Sequence, residues 1–250
     1  MKQALVGPMI ATTGLPIAVV EEGGRFACHH GLQFLEEAVL VEGSVAKRMQ
    51  DFADGRWCAH AAMESLTGMP VDAQAPILRG ATREPLWPAN IVGSITHTDG
   101  WVAAATALSS NIASVGIDVE SARTMPPSTL KEVASDSERR HLHALSCQTP
   151  DAQALGVSCV DSHSLDVVLF SAKESIYKAW FPLTDEWLGF DEVDLRIEAG
   201  HTFTARVLLS IPDTSSIPAE HLSTIRGVWR VGYGYVATAA IIPAATGSMA

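Results

Sequence analysis

Two long helical stretches, each cut off by a helix-breaking residue and each set among short strand-like runs, constrain this chain more than any other feature. From Ser44 to Leu66, Val45, Met49, Phe52, Ala59, Ala62, Met63 and Leu66 recur at three- and four-residue steps, the period of an amphipathic helix. Ser44 is placed to cap its start, and Gly68 then Pro70 to end it. A second helix is expected from Ser171, striped by Ile176, Tyr177, Ala179 and Trp180 and stopped at Pro182. Strand-like runs fall at 3–10, 15–20, 92–97, 101–108, 114–119, 193–198, 203–211 and 228–242, with Thr98-Asp99-Gly100 reading as a hairpin turn between two of them. A polar helix is expected over 128–146 and loop over 147–164. Pro126-Pro127 marks a hinge. The expectation is therefore an α+β protein of two similar α/β halves, a pseudo-dimer divided as 1–120 and 121–250, with the active site at the interface of the halves.

Function classes narrow by charge and composition. The 250 residues are 47% hydrophobic, enough for a full core, and a formal net charge of −11 argues against a general nucleic-acid binder. The early apolar run is broken by Gly7, Pro8, Gly14 and Pro16, unlike a signal peptide, and no 18-residue apolar stretch occurs. Cys28, Cys58, Cys147 and Cys159 form no C-x-x-C pair and read as thiols of a reducing compartment; Cys28-His29-His30 lacks the partner pair of a metal site. A cytoplasmic location is expected.

Three segments carry candidate chemistry. In Asp118-Val119-Glu120 at a strand end, the two carboxylates share one face, which is either a solvated strand end or a site for a hard divalent cation. Ser171-Ala172-Lys173-Glu174 has the form of a capping box, and Glu174 to Lys178 is a favourable i,i+4 pair. The same residues could instead supply a metal carboxylate and a phosphate-binding ammonium. His97, in Gly93-Ser94-Ile95-Thr96-His97, is either structural or a phosphate contact. Arg48 and Arg56 lie two turns apart on one helix face, as a solvated face or a phosphate site.

In order along the chain, Trp87-Pro88, Gly93-Ser94-Ile95-Thr96-His97, Gly116-Ile117-Asp118-Val119-Glu120 and Phe170-Ser171-Ala172-Lys173-Glu174-Ser175-Ile176-Tyr177-Lys178-Ala179 resemble the motif series of 4′-phosphopantetheinyl transferases of the Sfp/EntD-like, two-half class. Ala46-Lys47-Arg48, Pro76 to Gly80 and Trp180 to Phe190 are most similar to actinobacterial members. The resemblance spans about residues 44–240. It implies transfer of the phosphopantetheine arm of coenzyme A to a serine of an apo acyl, aryl or peptidyl carrier protein, with release of adenosine 3′,5′-bisphosphate. It further implies Mg²⁺, with Mn²⁺ as a substitute, held by Asp118, Glu120 and Glu174. Glu174 becomes the base and Lys178 the partner of the leaving phosphate, with Lys173 a weaker phosphate candidate that could face solvent. Coenzyme A would lie against Arg48, Arg56, Arg79, Thr96 and His97, with Arg83 a further basic candidate and Trp187 beside the pantetheine channel. Glu138 resembles an acidic position between the halves. The enzyme is expected to be a monomer that docks its carrier around 121–146. A carrier- or coenzyme A-binding module without turnover, or a Mg²⁺-dependent phosphohydrolase, would share some of these residues. The first should lack one of the three carboxylates, and the second would need no carrier protein.

Overall fold

The computed structural model describes residues 3–23, 29–146, 164–198, 200–211 and 217–245. The elements run α1 (Val6–Ala11), β1 (Ile17–Gly23), α2 (Leu35–Val39), α3 (Ala46–Thr67), β2 (Leu78–Arg79), β3 (Pro85–Leu86), β4 (Ile91–Thr98), β5 (Trp101–Leu108) and β6 (Ile112–Ser121). After these come α4 (Pro127–Val133), α5 (Asp136–Ser146), α6 (Leu165–Thr184), β7 (Val193–Glu198), β8 (Thr202–Val207), α7 (Ala219–Ser223), β9 (Thr224–Gly232) and β10 (Tyr235–Pro243). One antiparallel sheet has the order β1-β5-β4 and a larger one β6-β10-β9-β8-β7, while β2 and β3 form a small hairpin. The architecture is mixed α+β. Helix α3 packs on β1, β4 and β5, and α6 packs on β6 and β10. The division expected at residue 120 falls near the end of β6, whose ladder partner is β10.

The two sheets meet where β4 and β6 run side by side in the same direction. No backbone ladder joins them. Instead the N–H groups of Ile117 and Val119 donate to the hydroxyls of Ser94 and Thr96, at 3.1 and 3.2 Å. On β6, Ile117 and Val119 enter a core with Leu5, Met9, Ala103 and Ala105. The alternate residues Gly116, Asp118 and Glu120 take the other face, toward α6 and the seam, as strand pleating requires. A Cβ on Gly116 would run into the Ser175 carbonyl and the Ala179 amide, so only glycine lets α6 approach this closely.

Several local expectations give way to tertiary contacts. Residues 6–11 are helix rather than strand because the Glu21 carboxylate, from β1, accepts hydrogen bonds from the N–H groups of Leu5, Val6 and Gly7 at 3.0, 2.9 and 2.9 Å. A remote side chain thus supplies the cap that local sequence lacks. Helix α3 starts at Ala46 without a side-chain cap, so Ser44 does not serve there, whereas Gly68 ends it in the left-handed region at φ 72°. The buried face of α3 is small and polar: Asp54, Gly55, Arg56 and His60 lie beside Ala59, Ala62 and Met63, while Val45 and Met49 are exposed. Helix α6 begins six residues before Ser171, because Leu165, Val167, Val168 and Leu169 extend its buried stripe, and it ends past Pro182 at Thr184. The capping-box reading of Ser171 and Glu174 is therefore wrong: both are helix-interior residues. The polar helix expected over 128–146 is two helices, α4 and α5. Nearly all of the loop expected over 147–164 lies outside the described residues. Among the described residues, no helix is long and apolar enough to cross a membrane. Cys58 is buried; the other three cysteines lie outside the described residues.

Candidate active site

The site begins with Asp118, which is 4% exposed in the β4–β6 seam. A carboxylate this buried needs compensating partners. Lys178 from α6 donates to Asp118 Oδ1 at 2.7 Å and to the Ile117 carbonyl at 3.1 Å. Ser171 Oγ donates to Asp118 Oδ2 at 2.8 Å, and Thr96 Oγ1 to Oδ1 at 3.3 Å. Thr238, on β10, underpins Ser171 by donating to its carbonyl at 2.8 Å. Glu120 is half-buried two residues along, and Glu174 half-buried one helical turn before Lys178. Burial pushes the Glu120 carboxyl up to about 7, and the charges of Asp118 and Glu174 push the same way against Lys178. Burial also raises Glu174; Lys178 opposes this and Asp118 adds to it. One ammonium therefore leaves three converging carboxylates short of positive charge. Among the described residues they do not form a ready-made group of metal ligands. Their all-oxygen donor set and charge deficit nevertheless fit a hard divalent cation.

A cleft of about 580 Å³ opens beside this cluster, lined by Arg48, Arg56, Arg83, Lys47, Asp51 and His97 among others. A second cavity of about 230 Å³ shares Arg83, Pro85 and Ile95 with it and reaches Tyr177 and Lys178. Through these shared residues the two lead from a basic mouth to Lys178, the residue that pairs with Asp118. Arg48 is exposed at this mouth, whereas Arg56 is 6% exposed, with its guanidinium 4.6 Å from the Phe52 ring centroid. Burial lowers Arg56 to about 10; Glu37 opposes this and Arg79 adds to it. The Arg56 Nε is buried with no hydrogen-bond partner. Orphaned buried donors are rare, and this one borders a cleft suited to an anion. His97 is lowered mainly by burial; Asp51 and Asp118 oppose this, while Lys178 and Lys47 add to it.

The structure separates residues that sequence had grouped. Thr96 and His97 are adjacent on a strand, so they point to opposite faces: His97 lines the cleft and Thr96 is buried in the seam holding Asp118. Arg79 sits on the β2–β3 hairpin close enough to Arg56 to influence its charge. Trp187 is 72% exposed and packs against the Tyr177 ring at 4.8 Å, beside the inner cavity.

Lys173 needs the clearest correction. It faces neither phosphate nor solvent: it is 3% exposed and pairs with Glu138 at 2.9 Å. It also donates to the carbonyls of Val133 and Phe190 at 2.9 and 2.7 Å. Glu138 in turn accepts from the N–H groups of Ser135 and Leu195. The pair ties α4, α5 and β7 to α6. Ser171, Thr238 and Glu37 escaped the reading by residue type, since nothing local marks a hydroxyl or a glutamate that works across the fold.

A cleft lined by Lys47, Arg48, Arg56 and Arg83, adjoining a cavity that reaches Lys178, suits a phosphorylated substrate. Comparison with known proteins makes the class specific. Residues 36–107 match the family profile of the 4′-phosphopantetheinyl transferase N-terminal domain, and residues 114–238 that of the 4′-phosphopantetheinyl transferase superfamily. The chain is 40% identical over 219 residues to 4′-phosphopantetheinyl transferase Svp of Streptomyces mobaraensis, spanning 87% of this chain and 81% of that protein. It is 36% identical over 246 residues to PptT of Mycobacterium tuberculosis, spanning 95% of this chain and 99% of that protein. Npt of Nocardia iowensis is 36% identical over 211 residues, or 81% of this chain and 86% of that protein. The chain belongs to the 4′-phosphopantetheinyl transferase superfamily. Its activity is that of the family, transfer of phosphopantetheine from coenzyme A to carrier proteins.

Proposed function

We propose that the chain works as a Mg²⁺-dependent transferase whose two similar halves meet at the β4–β6 seam, β6 being counted with its ladder partner β10 and not with residues 1–120, and that coenzyme A binds along this seam. One observation carries this reading: Lys178, which pairs with Asp118 and is electrostatically coupled to Glu120 and Glu174, lines a cavity that shares residues with a cleft carrying Arg48, Arg56, Arg83 and His97. Asp118, Glu120 and Glu174 would hold Mg²⁺, or Mn²⁺ in its place. When bound, the metal neutralises charge on the pyrophosphate of coenzyme A. Arg48 and Arg56 hold the 3′-phosphate end, and Arg79 and Arg83 on the hairpin close over the nucleotide. Thr96 serves indirectly, by holding Asp118. Trp187 and Tyr177 flank the pantetheine arm.

The acceptor serine enters at the inner end. Glu174 takes its hydroxyl proton. The serine oxygen bonds to the phosphorus that carries pantetheine, and the bond from that phosphorus to adenosine 3′,5′-bisphosphate breaks. Lys178 neutralises the charge that develops on the departing phosphate. A monomer is the proposed state, and the cysteine usage of the sequence supports the cytoplasm. The hinge-side helices α4 and α5 are the proposed docking region for the carrier.

Intact-mass spectrometry of apo carrier proteins incubated with coenzyme A and Mg²⁺ tests this reading. Glu174→Gln should bind coenzyme A yet modify carrier at least about a hundredfold more slowly, the scale of a lost general base. A near-normal rate would remove Glu174 as the base. Undiminished modification in excess EDTA would remove the metal.

A further inference from the structure

Behind the basic mouth lies a second ionic cluster that the proposed chemistry does not use. Glu37, on α2, is fully buried. Its Oε1 accepts from Nε2 of His60 at 2.7 Å and from the N–H of Ile77 at 2.8 Å. The other His60 nitrogen, Nδ1, lies 2.8 Å from Gln74 Oε1. The Gln74 amide nitrogen donates to the carbonyls of His60 and Met69, both at 3.1 Å, which orients the amide with its oxygen toward the ring. Arg56 and His60 are one turn apart on the same face of α3. Both reach the segment leading into the β2–β3 hairpin, since Arg56 Nη2 is 3.4 Å from the Leu78 carbonyl. That carbonyl belongs to the residue after Ile77, whose amide Glu37 holds.

We propose that Glu37, braced by His60 and Gln74, is a positioning residue for the 3′-phosphate end of coenzyme A: it fixes the chain at Ile77–Leu78 against α3 and thereby sets the Arg56 guanidinium at the floor of the cleft. A glutamine at this position could accept both hydrogen bonds, but as a neutral acceptor it would hold Ile77 and His60 more weakly than a carboxylate does. What it would lack is the negative charge. Glu37 Oε2 and Arg56 Nε are both buried without a hydrogen-bond partner. The Glu37 carboxylate also acts electrostatically on the Arg56 guanidinium, opposing the cost of burying that cation.

This inference rests on the reading that Arg56 recognises the 3′-phosphate, and the test separates the two. Steady-state kinetics are run on the full chain with an apo carrier, using coenzyme A and 3′-dephospho-coenzyme A. Glu37→Gln should raise KM for coenzyme A roughly tenfold, the scale of one charged hydrogen bond. KM for the dephospho cofactor and both kcat values should stay within about twofold. Gln74→Ala, which loosens the brace from its half-exposed end, should move the KM ratio the same way by a smaller factor, and it carries the test if Glu37→Gln does not fold. A purely structural role would depress both cofactors together. An unchanged KM ratio in the folded variants overturns the proposal while Arg56→Ala still discriminates between the cofactors. If Arg56→Ala loses the same factor with both, the 3′-phosphate reading fails first.

Discussion

Removing the Glu138 carboxylate should be among the most damaging single changes outside the cleft. The Lys173 ammonium has three protons and uses them on Glu138, the Val133 carbonyl and the Phe190 carbonyl. Both side chains of the pair are nearly inaccessible, at 2% and 1%. Burial lowers the Lys173 ammonium from its ordinary value, and Glu138 opposes that shift. Glu138→Ala therefore leaves a buried cation without its counter-charge and the Ser135 and Leu195 amides without an acceptor. Breaking one side of such a pair costs about 3–5 kcal/mol. In a chain of this size that corresponds to a fall in Tm of roughly 6–20 °C. Urea denaturation followed by circular dichroism measures it, with an unchanged slope showing that the denatured state is not the cause. The exposed pair Arg206–Asp194 is the control, and Arg206→Ala should cost under about 1 kcal/mol. Replacing both residues, as Lys173→Met with Glu138→Leu, should recover only part of the loss, because two carbonyls and two amides stay unpaired. If Glu138→Ala costs as little as the control, Lys173 reaches water and the reasoning fails.

The carboxylate cluster predicts a pH signature. With the Glu120 carboxyl raised to about 7, the folded protein binds more protons than the unfolded chain between its ordinary value of 4.5 and 7. In the absence of divalent cations, stability should therefore fall as pH rises through that window, and Glu120→Gln should flatten the trend; a flat wild-type profile from calorimetry would count against the cluster. Gly116→Ala should cost about 1–3 kcal/mol by pushing α6 off β6, and should lower kcat because Glu174 and Lys178 ride on that helix. Glu21→Ala should speed amide exchange at residues 5–7 and cost about 1–3 kcal/mol while leaving kcat unchanged, a split visible by combining hydrogen exchange with the carrier assay.

What was legible in the sequence was whatever depends on local periodicity. Asp118 and Glu120 share a face because a strand repeats every two residues, and Arg48 and Arg56 line one cleft because they are two helical turns apart. Gly68 ends α3 because its backbone must turn left-handed. The misreadings share one cause, partners far along the chain. Helix α1 depends on Glu21, and Lys173 owes its burial to Glu138, 35 residues away. Ser171 looked like a cap because it opens a motif, yet the apolar run before it carries the helix further back. The polar underside of α3 was hidden for a related reason. Asp54, Arg56 and His60 look like surface residues by type, and only their partners on other elements make them interior ones.

Strand β4 holds the seam with one side and the basic cleft with the other. Ser94 and Thr96 stitch it to β6, while Ile95 and His97, between and after them, line the cleft. Such a strand acts as a ruler with two scales printed half a unit apart. Adding or deleting one residue within it would exchange the scales, turning the hydroxyls into the cleft and the imidazole into the seam. Its length is thus closed to gradual editing: side chains along β4 can be retuned one by one, but the spacing between them cannot.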